Sequence, residues 1–347
     1  MKAWVLEGIG DIRYQTVQEP SPAPDEVLIE VKAAGICGSD IPRIYQTGAY
    51  SHPLIPGHEF SGKVIQLGAD VDHNLLGRRV GVFPLIPCGS CVPCQNGQYE
   101  MCRHYSYLGS RRDGGFAEYV AVPAWNLLPL PKEVSYEEAA MLEPMAVAVH
   151  AMRRLSVSGS DSVAVCGLGT IGLLLVMFLQ EAGVRNLLVF GNKEFQRQKI
   201  LELGLSEDAY CDTRTEEPSK WMLERTRCLG ADCFFECVGK NETISFVIDH
   251  TAPAGKVMLV GNPREDLYLK KEIYWKILRG QLEVAGTWNS SFLHTQEDDW
   301  NYVLRHLQQK KVAPKKLISH RLSMEELGRG FQIMKEKRED YVKIIGC

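Results

Sequence analysis

Ser162-Val163-Ala164-Val165-Cys166-Gly167-Leu168-Gly169-Thr170-Ile171-Gly172 is the stretch that decides the fold of this chain. Its first five residues are a short apolar run with strand character, and an apolar helical pattern continues beyond Gly172 to Ala182. Three glycines spaced G-x-G-x-x-G carry weight only in that setting, after a strand and before a helix. There Gly167 permits the tight turn and Gly172 allows close packing of helix on strand. Gly169 lets backbone N–H groups approach a pyrophosphate where Thr170 and Ile171 open the helix. The motif marks a dinucleotide site.

The same texture continues downstream. Strand-like runs at 186–190, 233–237 and 256–260 alternate with helical patterns that end at Leu203 and cover 241–251. Strand and helix in this order predict an α/β domain with a parallel sheet and right-handed crossovers. Upstream, the first 130 residues carry short β-like runs at 27–33, 62–67 and 116–122 between Gly and Pro turns, which predicts an irregular β-rich domain. After Gly286 the alternation stops, and 298–309 and 324–335 read as amphipathic surface helices in a tail that packs back onto the first domain. The expected divisions are 1–145, 146–286 and 287–347.

A length of 347 residues, more than twice the roughly 150-residue mode for one domain, agrees with two domains. Apolar residues at 45% and charged residues at 24% exclude a disordered, collagen-like or coiled-coil chain. With 39 basic and 43 acidic residues the formal charge is -4 and no basic block occurs, so nucleic acid is not an expected partner. Eleven cysteines are an odd number for a secreted disulfide framework, and Met1-Lys2-Ala3-Trp4 begins without an apolar signal core. Reduced thiols in the cytoplasm are therefore expected. The uncharged stretch 162–180 contains three glycines and reads as strand, turn and helix, so no membrane span is expected.

Cys88, Cys91, Cys94 and Cys102 are spaced C-x2-C-x2-C-x7-C in a lobe at 86–103, with Gly89, Pro93 and Gly97 supplying turns that let four sulfurs converge. Four thiolates without an open position make a structural zinc site, with an iron–sulfur cluster as the alternative. A second, mixed set comprises Cys37 in Gly35-Ile36-Cys37-Gly38-Ser39-Asp40, His58 and Glu59 after Gly57, and Glu143 in the apolar setting Met141-Leu142-Glu143-Pro144. Cysteine, histidine and carboxylate together are the donors of a catalytic zinc, and a metal would compensate the otherwise costly Glu143 charge.

About twenty residues after the glycine turn, where an Asp or Glu would grip the adenosine ribose, the chain has Phe190-Gly191-Asn192-Lys193. Gly191 removes repulsion toward a 2′-phosphate, which Asn192, Lys193 and Arg197 could hold; equally, Lys193 and Arg197 could be a solvated helix start and the cofactor NAD. NAD and NADP both remain open.

With Gly57-His58-Glu59, Cys37-Gly38-Ser39-Asp40, the four-cysteine lobe and the glycine turn all present, the chain resembles the zinc-dependent medium-chain dehydrogenase/reductase family over essentially its whole length. The resemblance implies a GroES-like catalytic domain built from both ends of the chain, a doubly wound Rossmann domain between them, and an active site in the cleft. It also implies two zinc ions per chain. Cys37 and His58 would bind the catalytic one with a carboxylate, Glu59 or Glu143, directly or through water. Ser39 matches a residue that passes the substrate proton toward solvent, while the histidine usual a few residues later is replaced within Ile41-Pro42-Arg43.

Within the family, segments 36–44, 57–62 and 109–119 are most similar to polyol-phosphate dehydrogenases. That implies hydride transfer between a polyol phosphate and NAD(P), with galactitol 1-phosphate to tagatose 6-phosphate as the first expectation. An arabinitol phosphate or an unphosphorylated, sorbitol-type polyol is the alternative substrate, and a non-catalytic zinc- and dinucleotide-binding protein the alternative from another class. Arg43, Arg111 and Arg112 are candidates for the phosphate, because arginine binds it through paired hydrogen bonds. Trp288 and Asn289 are candidates to line the polyol site, and a homo-oligomer, dimer or tetramer, is expected by analogy.

Overall fold

The computed structural model describes residues 1–347. They divide into two compact units, residues 1–146 with 290–347, and residues 147–289.

In the second unit a six-stranded sheet runs in the order Tyr210–Asp212, Asn186–Gly191, Ser162–Cys166, Ala231–Glu236, Thr251–Leu259, Glu283–Gly286, and every neighbouring pair is parallel. Chain order proceeds outward from Ser162–Cys166 on one side and from Ala231–Glu236 on the other. The sheet thus switches direction between these two strands, where open parallel sheets bind ligands at their carboxyl ends. The uncharged stretch of the sequence is explained by burial: Leu173 to Phe178 of the helix Thr170–Glu181 are all buried. No helix is long and apolar enough to cross a membrane. Phe190 packs against Trp221, Phe234 and Phe246 with ring centroids 5.1–5.8 Å apart. The edge strands Tyr210–Asp212 and Glu283–Gly286 were not expected from the sequence, since three or four residues carry no usable periodicity.

The first unit is built on a seven-stranded sheet. Its path is Ile318–Leu322, Lys343–Gly346, Glu26–Ile36, Glu59–Leu67, Arg79–Val82, Leu127–Pro129, with Tyr119–Pro123 also paired to Glu26–Ile36. The eleven-residue strand Glu26–Ile36 carries register shifts at Leu28/Ile29 and Val31/Ala33 and pairs antiparallel with three others. Such irregularities bend a strand and let it serve several partners. Its register sets Gly35 opposite Glu59 and Ile36 opposite Ile344. Cys37, His58 and Lys343 therefore meet at one end of the sheet.

Residues 290–347 belong to this unit. The helices Asp299–Gln308 and Leu327–Glu336 bury Trp300, Val303 and Leu307, and Leu327, Phe331, Ile333 and Met334. Two strands in the tail, Ile318–Leu322 and Lys343–Gly346, were not expected from the sequence. Strand structure in the 116–122 run begins only at Tyr119, because the residues before it are tied elsewhere. Gly114, Gly115 and Phe116 donate their N–H groups to the carbonyls of Ile55, Gly57 and Pro56 at 2.8–3.0 Å. These bonds brace the segment that leads into His58. Gly57 has φ +96°, and a side chain there would meet the Phe116 ring at 2.6 Å.

Candidate active site and metal centres

Cys37, His58 and Glu59 each present a ligand atom within 4.8 Å of the other two. A thiol from one segment and an imidazole and a carboxylate from two consecutive residues of another suit zinc, which accepts sulfur, nitrogen and oxygen together. His58 and Glu59 are buried, whereas Cys37 is partly open. Asp40 holds the two flanking segments together. Its wholly buried carboxylate accepts from the Cys37 N–H at 2.9 Å and lies 3.5 Å from His58 Nδ1, a nitrogen that lacks a hydrogen bond of good geometry. Burial alone would raise the Asp40 carboxyl, but His58 and Arg43 outweigh it and hold it below the usual carboxylate range. A carboxylate behind the imidazole is the arrangement that orients a metal-binding histidine. The Ser39 hydroxyl is exposed and 3.3 Å from Cys37 Sγ.

Glu143 stands apart from that trio. It is buried and accepts a hydrogen bond from the Tyr107 hydroxyl at 3.3 Å, and the Tyr107 ring lies 5.8 Å from that of His58. Burial pushes the Glu143 carboxyl up to about 7; the charge of Glu59 adds to the rise, while His58 and Lys343 oppose it.

The sulfurs of Cys88, Cys91, Cys94 and Cys102 form a second group. Their separations of 3.5 Å for Cys91–Cys94, 3.9 Å for Cys91–Cys102 and 4.0 Å for Cys88–Cys94 exceed any disulfide bond. Four sulfurs about 2.3 Å from one zinc ion stand about 3.8 Å apart, so a single ion fits. An iron–sulfur core is larger than one ion and would need the thiols spread more widely. Hydrogen bonds from Ser90 pull the Cys88 thiol down to about 5, whereas burial pushes that of Cys94 up to about 12, so a metal bound here would displace the Cys94 proton.

In the second unit, Gly167 adopts φ +98°, and a side chain there would meet Val238 Cγ2 at 2.5 Å. Above Gly169 nothing lies within 4 Å of an added Cβ, and no side chain caps the helix that starts at Thr170. That open cradle at a helix N-terminus fits a pyrophosphate. At the end of the neighbouring strand, a side chain on Gly191 would meet the Tyr210 hydroxyl and Gln196 Oε1 at 2.8 Å. The Asn192 N–H donates to Gln196 Oε1 at 2.9 Å, and the Lys193 carbonyl accepts from the Tyr210 hydroxyl at 3.0 Å. Arg197 is paired with Glu194 and Glu207.

Residues 23–132 match the family model of the alcohol dehydrogenase GroES-like domain, and residues 170–309 that of the zinc-binding dehydrogenases. The chain is 32% identical over 326 residues, 94% of each chain, to galactitol 1-phosphate 5-dehydrogenase of Escherichia coli K12. This chain belongs to the zinc-dependent medium-chain dehydrogenases. It is equally 32% identical to the sorbitol dehydrogenase of Halalkalibacterium halodurans, over 96% of each chain. Among solved structures it resembles galactitol-1-phosphate dehydrogenase from Escherichia coli with TM-score 0.92, 30% identity and coverage of 100% and 99% of the two chains. A zinc-binding dehydrogenase from Sinorhizobium meliloti 1021 bound to NADP gives TM-score 0.90, 28% identity and coverage of 99% and 98%. The dehydrogenase is thus an oxidoreductase of the zinc-dependent, NAD(P)-dependent alcohol and polyol type, with a GroES-like unit and a Rossmann-type unit.

The three candidate arginines of this dehydrogenase differ sharply. Arg43 donates to Asp40 at 2.7 Å, and Arg112 is paired with Glu26. Arg111 has no carboxylate partner and lies between two rings, its Cζ 4.2 Å from the Tyr50 centroid and 4.4 Å from that of Tyr105. Trp288 is exposed, and Asn289, with φ +57°, is the last residue of the second unit.

Sequence reasoning overlooked Lys343. Its buried ammonium pairs with Glu59 and donates to the Ile36 carbonyl at 3.0 Å. A lone cation in the apolar run Tyr341-Val342-Lys343-Ile344-Ile345 was the signal, since a buried charge requires a partner. Asp40 and Tyr107 were likewise given no role.

Proposed function

We propose that this dehydrogenase oxidises galactitol 1-phosphate to tagatose 6-phosphate, passing a hydride to NAD or NADP and releasing a proton. The observation that carries the phosphate in this reading is Arg111, a guanidinium free of carboxylates in the same unit as Cys37, His58 and Glu59. Its terminal nitrogens donate to the Tyr105 carbonyl at 3.3 Å and the Tyr50 hydroxyl at 3.2 Å, which hold the guanidinium in place, and the N–H groups not used by these bonds are available to a phosphate. Similarity to the Escherichia coli galactitol 1-phosphate enzyme supports the same reading.

A zinc ion held here would supply Lewis acidity toward the substrate hydroxyl, and a dinucleotide held at the glycine turn would supply the hydride acceptor. Cys37 and His58 would hold the ion, with the Asp40 carboxylate behind the imidazole. Glu59 is the carboxylate that converges with Cys37 and His58 and is also paired with Lys343, while Glu143, buried and bonded to Tyr107 with no cation of its own, would be the further carboxylate toward the ion. Ser39, exposed beside Cys37, takes the substrate proton to solvent; Arg43, in the segment where a further relay histidine is absent, serves Asp40 instead. Cys88, Cys91, Cys94 and Cys102 hold the structural zinc. Gly167, Gly169, Thr170, Ile171 and Gly172 take the pyrophosphate, and Gly191, Asn192 and Lys193 border the adenosine ribose.

The second reading, an unphosphorylated sorbitol-type polyol, is favoured by the equal identity to the Halalkalibacterium sorbitol dehydrogenase. A homo-oligomer is supported by the exposed Tyr274 and Leu278 on the helix Lys271–Gly280, Val284 on the edge strand Glu283–Gly286 and Trp288 just beyond it. The eleven cysteines, none in a disulfide, favour a cytoplasmic setting.

Initial rates of nicotinamide reduction, with galactitol 1-phosphate and free galactitol compared in NAD and in NADP, test the assignment. Strong preference for the phosphate ester supports it. Equal rates, or preference for the free polyol, overturn the phosphate reading.

A further inference from the structure

Glu236 is the last residue of the strand Ala231–Glu236, and its side chain is 0% exposed. No cation pairs with it. Instead Oε1 accepts from the N–H groups of Val238 at 3.0 Å and Gly239 at 2.9 Å and from the Thr243 hydroxyl at 2.7 Å. Oε2 accepts from the Gly239 N–H at 3.0 Å, and the backbone carbonyl of Glu236 accepts from Val260 and Gly261 at 2.8 and 2.9 Å. Burying a carboxylate compensated only by neutral donors is costly, and a turn could be closed with less.

What this carboxylate organises lies directly beneath the glycine turn. The Cys237 N–H donates to the Cys166 carbonyl at 2.8 Å, so the turn 237–239 is tied to the residue before Gly167. Val238 fills the space that a Gly167 side chain would need, with Cγ2 2.5 Å from the Cβ position. On the other side, a side chain on Gly239 would meet the Asn262 carbonyl carbon at 2.8 Å. Three strand ends, 166–167, 236–239 and 259–262, are thus joined by backbone hydrogen bonds through residues 236 and 237, and the Glu236 carboxylate holds the shape of the turn 237–239 that lies between the other two.

We propose that Glu236 is a positioning residue for the dinucleotide, fixing the height and tilt of the Gly167–Gly169 turn through Val238. Its acceptor-only chemistry is the reason a carboxylate is used. Three donors point at it, and an amide in its place would present an N–H against one of them. The inference rests on placing the pyrophosphate at Gly167 to Gly172.

The test is NADH affinity of the full chain, read from nucleotide fluorescence without substrate, together with steady-state kinetics. In Glu236→Gln, NADH binding weakens about tenfold and KM for the oxidised cofactor rises by a similar factor, while kcat at saturating cofactor stays within about twofold. A residue that merely stabilised the fold would reduce the amount of active protein, and so kcat, with KM unchanged. Wild-type affinity in Glu236→Gln overturns the proposal. Gly169→Val in the same assay checks the premise, since its side chain enters open space and obstructs only a ligand. Lost binding in Gly169→Val with normal binding in Glu236→Gln refutes Glu236 alone, and retained binding in Gly169→Val refutes the placement. If Glu236→Gln does not fold, Thr243→Val, which removes one donor to the carboxylate, decides: weaker NADH binding with unchanged kcat supports the role, and unchanged binding overturns it.

Discussion

Lys343 and Glu59, 284 residues apart in the chain, form an ion pair in which each side chain is 1% exposed. The pair joins the strand Lys343–Gly346 to the carboxylate beside His58. Removing one partner of such a pair leaves the other charged and buried, which costs about 3–5 kcal/mol. Lys343→Met should therefore lower the denaturant midpoint strongly, and a midpoint like that of the wild type would show that Glu59 finds other compensation.

Cys37→Ser and Cys94→Ser should separate the two metal centres. The first should abolish turnover and halve the zinc content while the melting curve changes little. The second should lower zinc content and melting temperature together, since metal affinity of a closed thiolate site is folding free energy. Normal activity in Cys37→Ser would remove that residue from the catalytic centre.

Arg111 and Arg112 are adjacent but differently engaged, so their alanine variants should diverge. Arg111→Ala should raise KM for galactitol 1-phosphate about tenfold or more and leave that for free galactitol near its starting value. Arg112→Ala should act mainly on stability, by freeing the nearly buried Glu26. Equal effects of Arg111→Ala on the two substrates would exclude it from phosphate recognition.

Acid should weaken the end of the edge strand Tyr210–Asp212. A side-chain hydrogen bond from Arg214 is the largest influence on Asp212 and brings its carboxyl down to about 2. The folded value lies below the ordinary one of about 3.9, so the contribution is complete above that pH and fades as pH falls through the folded value. The stability gap between wild type and Asp212→Asn should thus be constant at neutral pH and close between about pH 4 and 2. A gap independent of pH would rule out this pairing.

The Rossmann-type unit was legible because its strands and helices are local and periodic: Ser162–Cys166 and Thr170–Glu181 follow from one uninterrupted run. The convergence of Cys37 with His58 and Glu59, and of the four cysteines, was legible for a different reason, since these segments carry their donors within a few residues of a turn-forming glycine. Lys343 was hidden because its partner is set by strand register, which a four-residue strand buried at every position cannot advertise. Gly191 was read as a missing acid, yet the space above it is taken by Tyr210, a neighbour supplied by a strand too short to anticipate. Arg197 likewise looked available for phosphate, while the two carboxylates that hold it are three and ten residues further along or back.

The placement of Lys343–Gly346 between Ile318–Leu322 and Glu26–Ile36 makes the first unit discontinuous in sequence, with a consequence for the order in which the two units can fold. The unit at 147–289 is contiguous and can fold as soon as it leaves the ribosome. Residues 1–146, although made first, must wait for residues 343–346 before Glu59 meets its cation. Until that strand is added, Ile36 lacks its pairing partner Ile344 and Glu59 lacks its cation, so this end of the sheet is completed only by contacts between segments far apart in sequence.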